Sequence, residues 1–273
     1  MIFSTLAFAC MNVTVKYLIE VSAYQIVFFR SIGSLFFTFW FLLKYKIPIL
    51  GNNKKLLILR GLVGVTAMTL FFMSTKYLSI GTAVSLRYLA PIFAAIFAML
   101  ILKEKIRSMQ WLFFMIAFSG VLILKGLDTQ LDSYGLLLVV IASVFSGLVY
   151  IIISKIGKSE HPVVVVNYFM VIATITGGLL SLNNWLNPIG IEWPLLFSLG
   201  VFGYFGQVYM TKALQTAKIS KVAPIKYLEV IFTVVFGIIL VNELYSLWSL
   251  LGISMIILAL VLNSQYGTKD QIK

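Results

Sequence analysis

The chain has 273 residues, 61% of them hydrophobic and only 11% charged, with a mean hydropathy of +1.03. Soluble domains carry about 25% charged residues, so this composition excludes an ordinary soluble protein. The net charge of +12 would suit nucleic acid, but the cations cluster in short loops between long apolar runs. That pattern belongs to a membrane surface, and no nucleic-acid partner is expected.

A helix needs roughly 20 apolar residues to cross a bilayer core. Ten such stretches follow in order at about 2–19, 25–43, 58–75, 81–102, 108–124, 134–154, 163–182, 193–212, 221–241 and 246–263. The first carries Asn12 and Lys16. Its Leu6-Ala-Phe-Ala-Cys10 run faintly matches a lipoprotein cleavage site, but no basic stretch precedes it. Residues 1–19 therefore read as a membrane helix rather than a signal peptide, and a helix that begins at residue 1 predicts a true start a few residues upstream. The lone Cys10 excludes an intramolecular disulfide and a multi-Cys metal cluster. The lone histidine, His161, precedes Pro162 beside Lys158 and Glu160 and reads as a solvated loop residue.

The second stretch holds Phe28-Phe29-Arg30, the third opens on Leu59-Arg60-Gly61 with Gly64 following, and the fourth holds Arg87-Tyr88 one turn before Pro91. Tyr150 lies in the sixth and Asn167-Tyr168 in the seventh. The eighth mixes Gly200, Gly203 and Gly206 with Tyr204, Gln207 and Tyr209, and the ninth holds Pro224, Lys226-Tyr227 and Glu229. Glycines let membrane helices approach closely. The prolines can kink a helix and free carbonyls toward a cavity. Glu104 and Glu243 end the fourth and ninth stretches, where they suit capping or loop anchoring.

Arg87-Tyr-Leu-Ala-Pro-Ile-Phe93 recurs as Lys226-Tyr-Leu-Glu-Val-Ile-Phe232, a shift of 139 residues. The same shift pairs Lys16 with Lys155, Gly61 with Gly200, Gly64 with Gly203 and Glu104 with Glu243. The chain is a duplicated half, divided as residues 1–127 and 128–273. Five spans per half is odd, so the halves cross the membrane in opposite senses. The expected fold is an all-α membrane protein of ten transmembrane helices in two inverted five-helix repeats. With the N-terminus in the cytoplasm, inner segments hold fifteen cations (Lys44, Lys46, Lys54, Lys55, Arg60, Lys103, Lys105, Arg107, Lys155, Lys158, Lys212, Lys218, Lys221, Lys269 and Lys273). Outer ones hold three: Lys16, Lys76 and Lys125. This places both termini inside.

Arg30, Arg87, Lys226 and Glu229 fall within spans, where a charge costs about 2.5–3.5 kcal/mol on insertion scales. Lys226 and Glu229, spaced i,i+3, can neutralise each other, and Arg30 and Arg87 can snorkel to the nearer surface. Convergence on one cavity is the alternative, since Arg87 and Lys226 are repeat mates, each followed by a tyrosine. Tyr204 and Gln207 share a face at i,i+3 and are further candidates for cavity lining.

Together these residues resemble the drug/metabolite transporter superfamily, in particular its ten-helix EamA-type members. The resemblance rests on Met11-Asn12 with Lys16, Phe28-Phe29-Arg30, Leu59-Arg60-Gly61, Leu89-Ala-Pro91 with Lys103-Glu104-Lys105, Ala223-Pro224 with Tyr227, and Asn242-Glu243. The first half is similar to bacterial members described as S-adenosylmethionine uptake carriers. The resemblance implies a central cavity between the repeats, gated from both sides, in the bacterial inner membrane.

The reading is a secondary transporter of small polar organic metabolites working by alternating access. Its substrate site is expected at Arg30, Arg87, Tyr88, Tyr204, Gln207, Lys226, Tyr227 and Glu229. Three cations against one anion favour a carboxylate or phosphate on the small-molecule substrate, and Glu229 is a candidate carrier of a coupling proton. No nucleophile elbow, phosphate loop or metal-ligand spacing occurs, so no enzymatic activity, cofactor or metal is expected. An exporter of lipophilic cations predicts an aromatic, acidic cavity, which the basic residues oppose. A non-transporting scaffold or receptor has no need of mirrored halves. Substrate identity, direction of flux and oligomeric state are left open by these residues.

Overall fold

The computed structural model describes residues 1–102, 108–127, 132–216 and 228–269. Within them the chain is helical, with no strand among the described residues. The helices are α1 (Ile2–Tyr17), α2 (Ala23–Lys44), α3 (Lys54–Ser74), α4 (Ile80–Arg87), α5 (Ala90–Leu102), α6 (Ser108–Leu127), α7 (Ser133–Ile156), α8 (Pro162–Ser181), α9 (Glu192–Thr216), α10 (Leu228–Val241) and α11 (Leu247–Lys269). α4 and α5 are the two halves of the fourth expected span, so the described residues form ten helical segments once these two are joined. Five helical stretches, among them the joined Ile80–Ile101, are long and apolar enough to cross a membrane, and four shorter apolar helices accompany them. At 1.5 Å per residue the 22 residues of α2 reach about 33 Å. α9 is 25 residues long, but Tyr204, Gln207 and three glycines dilute its apolar character.

Local chemistry sets the helix ends. Ser22, Asn53 and Asp132 accept hydrogen bonds from Gln25, Leu56 and Gly135 N–H groups at the starts of α2, α3 and α7, supplying acceptors to otherwise orphaned donors. α8 begins with His161 Nδ1 accepting from the Val163 N–H at 3.2 Å, and with Pro162 in its first turn. Gly157, at φ +52°, ends α7 in a conformation most residues avoid. The fourth span breaks at Tyr88–Leu89. Pro91 has no N–H to offer the Arg87 carbonyl one turn back, and α4 stops at Arg87.

Helix packing follows the duplication. Exchanging the halves turns α1 into α7, α2 into α8, α3 into α9, the α4–α5 pair into α10, and α6 into α11. Under that exchange the α3–α7 contact becomes α9–α1, α2–α9 becomes α8–α3, and α1–α10 becomes α7 with α4–α5; all are present. α2–α8 and α6–α11 map onto themselves and are among the most extensive contacts. The helices thus pack as two inverted repeats about a pseudo-two-fold axis. α2 meets α9 most closely at Gly33 and Gly200, where a Cβ on Gly33 would lie 2.9 Å from the Gly200 Cα. Large apolar side chains such as Phe36, Leu179 and Phe197 face outward, as lipid contact requires.

Candidate functional site

A cavity of about 90 Å³, partly open to its surroundings, lies within the bundle. Its walls come from both repeats. Four mate pairs under the 139-residue shift line it together: Met11 with Tyr150, Arg30 with Phe169, Met68 with Gln207, and Phe71 with Met210. The cavity therefore lies on the axis that exchanges the halves. Arg60, Arg87, Phe72 and Gly64 complete much of the remaining wall.

Three guanidinium groups reach this space, and their partners differ. Arg87 is neutralised: its Nη2 donates to Glu229 Oε1 at 2.6 Å, and its Cζ stands 4.0 Å from the centroid of the Phe71 ring. Glu229, fully buried, also accepts from Tyr88 OH at 2.7 Å and from Asn12 Nδ2 at 3.2 Å. One carboxylate thus ties α1 and the α4 break to α10.

Arg30 and Arg60 have no carboxylate partner among the described residues. Arg30, 2% exposed, donates from Nε to the Met11 thioether at 3.0 Å and from Nη1 to Met68. Thioether sulfur is a weak acceptor. Arg60, 1% exposed, donates from Nη2 to Gln207 Oε1 at 3.1 Å, while its Nε and Nη1 have no partner among the described residues. Both stand over Phe169, their Cζ atoms 5.9 and 4.1 Å from the ring centroid.

The expected site divides accordingly. Arg30, Arg87 and Gln207 line the cavity, whereas Tyr88 and Glu229 stand behind Arg87. Tyr204 does not line the cavity: it packs on Phe37, with ring centroids 5.5 Å apart, and on Phe205. An i,i+3 step turns the helix by about 60°, enough to set Gln207 inside and Tyr204 against α2. Lys226 and Tyr227 lie outside the described residues. Glu229 forms an ion pair with Arg87 of the other repeat. Neither Arg30 nor Arg87 snorkels to a surface.

Arg60 corrects the charge count. Read as a cytoplasmic loop cation, it instead occupies the second turn of α3 and points into the cavity, packed against Gly64 and Phe169. Its signal in the sequence was a broken symmetry, because its repeat mate is Leu199.

Latches flank the cavity at either end of the bundle. At one, Glu243 accepts from the Ile80 N–H at 2.9 Å, from Tyr245 OH at 2.5 Å, and pairs with Lys16 at 3.5 Å. Lys16 donates to the Leu78 carbonyl at 2.7 Å, so it is a latch residue in the last turn of α1 rather than a free loop cation. The anchoring role expected of Glu243 is what it performs; Glu104 lies outside the described residues. At the other end Glu160 accepts from the Asn52 and Asn53 N–H groups, both at 2.6 Å. Gln215 Nε2 there donates to the Gly157 carbonyl at 2.8 Å.

A polar, cation-bearing cavity on the pseudo-two-fold axis of an inverted helical repeat defines a membrane transporter. The EamA-like transporter family model matches residues 1–125 and 133–265, and the chain belongs to that family. It is 30% identical over 267 residues to human solute carrier family 35 member G1, covering 91% of this chain and 73% of the relative. The pseudopaline exporter CntI of Pseudomonas aeruginosa is 25% identical, with 97% of this chain and 94% of the exporter aligned. The S-adenosylmethionine uptake transporter of Rickettsia prowazekii is 24% identical, over 85% of this chain and 80% of that protein. A crystal structure with 12% sequence identity superposes with a TM-score of 0.70 over 98% of both chains, which shows the fold alone.

Proposed function

We propose that the chain carries small polar organic metabolites across a bacterial inner membrane by alternating access, with residues 1–127 and 128–273 as the two moving halves. The observation that carries this reading is the cavity built from repeat mates. A site on the exchange axis can open to either side at similar energy when the halves swap conformations. Both termini face the cytoplasm in this reading, which places the Glu160 latch inside and the Lys16–Glu243 latch outside. The cation excess at the inner end persists when Arg60 and Lys16 are removed from the loop count.

Relatives named for uptake and for export share this scaffold, so direction follows from gradients and coupling rather than from the fold. Glu229 is the candidate carrier of a coupling proton, because it is the acid at the junction of α1, α4 and α10 and bridges the repeats. Purified protein in liposomes, offered a pooled metabolite panel with and without a pH gradient, tests the function. Uptake of at least one polar metabolite is expected, and no flux of any panel member under either gradient overturns it.

A further inference from the structure

Within the cavity just described, the charges do not balance. Glu229 offsets Arg87, and no carboxylate among the described residues offsets Arg30 or Arg60. A guanidinium stays protonated in proteins and presents five N–H donors. Arg60 has one carbonyl-type partner, and Arg30 has two thioethers. The Phe169 face offsets only part of each charge. Burying an unpaired cation is costly even after the surroundings relax. Dispersion and cation–π contact therefore leave a deficit that an anion would cancel.

The geometry also suits one ligand touching both groups. Their distances to the shared Phe169 centroid limit the separation of the two Cζ atoms to about 10 Å at most. The unpartnered Nε and Nη1 of Arg60, on either side of the Nη2 that Gln207 holds, leave N–H donors for the oxygens of a carboxylate or phosphate. Phe71, Phe72 and Phe169 provide an apolar wall beside it.

We infer that Arg30 and Arg60 form an anion receptor and that the transported solute is an organic dianion, a dicarboxylate or a phosphate monoester, with an apolar or planar body. The inference rests on reading the cavity as the transport site. It also separates this chain from carriers of S-adenosylmethionine, whose sulfonium and ammonium groups leave it a net cation that two unmatched arginines would repel.

Titration calorimetry and thermal unfolding of the full chain in detergent test it, with phenylsuccinate, phenyl phosphate, inorganic phosphate and S-adenosylmethionine as probes. At least one dianion should bind and raise the unfolding temperature, and S-adenosylmethionine should do neither. The first two probes separate a carboxylate site from a phosphate site, and inorganic phosphate shows whether the organic body is needed. Arg60→Gln should weaken the bound dianion at least tenfold and leave the unliganded protein as stable as before or more so, since it removes an unmatched charge. Arg60→Lys, which keeps the charge and loses the planar guanidinium with its several N–H donors, should not restore affinity. No dianion binding to the wild type overturns the proposal, as does S-adenosylmethionine binding in its place or dianion affinity unchanged in both Arg30→Gln and Arg60→Gln. A dianion that binds yet is never carried in liposomes overturns the transport reading and leaves the receptor standing. Carriage of a cation, unaffected by Arg60→Gln, does the reverse.

Discussion

Arg87 and Glu229 close a 2.6 Å ion pair between the two repeats, with the carboxylate fully buried and the guanidinium against Phe71. It joins the break between α4 and α5 to the first turn of α10. Any motion of one half against the other must keep this pair intact or exchange its partners, which makes it the most consequential contact beside the cavity.

Removing one partner leaves a buried charge alone, at a cost of about 3 kcal/mol or more. Glu229→Gln should lower the unfolding temperature in detergent, and the Arg87→Gln/Glu229→Gln double variant should recover most of the loss. Additive losses in the double variant would show that the two residues are not energetically coupled. A well-folded Glu229→Gln protein with an unchanged response to a pH gradient would end the proton-carrier role.

Closure at the Lys16 end depends on Glu243, which gathers Lys16, Tyr245 and the Ile80 N–H. Glu243→Gln should raise accessibility of a cysteine placed at the buried Leu78 to an impermeant thiol reagent, in a Cys10→Ser background. Equal labelling rates in variant and parent would show that this cluster does not hold the end shut.

Close approach of α2 and α9 requires hydrogen in place of a side chain at Gly33 and Gly200. Gly200→Val should destabilise by about 1–3 kcal/mol through overpacking, read as a lower unfolding temperature. Gly190, with open space around its Cβ position but a φ of +52°, tests strain without crowding, and Gly190→Ala should cost less.

His161 caps α8 through Nδ1, and burial, with the nearby Lys212 charge secondary, pushes its pKa below the usual histidine value. The unfolded chain then binds the proton more readily than the folded one, so the contribution is full above about pH 6.5 and declines as pH falls through that value. His161→Asn keeps a capping acceptor that does not titrate. Its unfolding temperature should vary less than the wild type's between pH 7.5 and pH 5.5. Parallel curves would remove His161 as the cause.

For the proposed orientation, a cysteine at Lys54 should resist an impermeant reagent added to intact cells, and one at Asp132 should react, again without Cys10. The reverse pattern would invert the topology and move the Glu160 latch outside.

Sequence by itself determined the ten apolar spans, the duplicated frame and its inverted sense. Each rests on composition, period or parity, which are properties of the chain rather than of contacts. It also marked Arg30, Arg87, Gln207 and Glu229, because charged or polar groups within apolar runs are costly wherever the helices lie. Tertiary structure alone decided which of them meet. A repeat shift pairs positions but not partners, so it did not join Glu229 to Arg87, the ion-pair partner 142 positions away. Tyr204 and Gln207 part company because helix rotation about its own axis is set by neighbours, here Phe37 on α2. Arg60 was hidden by its place near the start of a span, where loop and cavity look alike in one dimension. Packing against Phe169 and Gln207 turned it inward, and that turn completed the pair of unmatched cations at the centre of the protein.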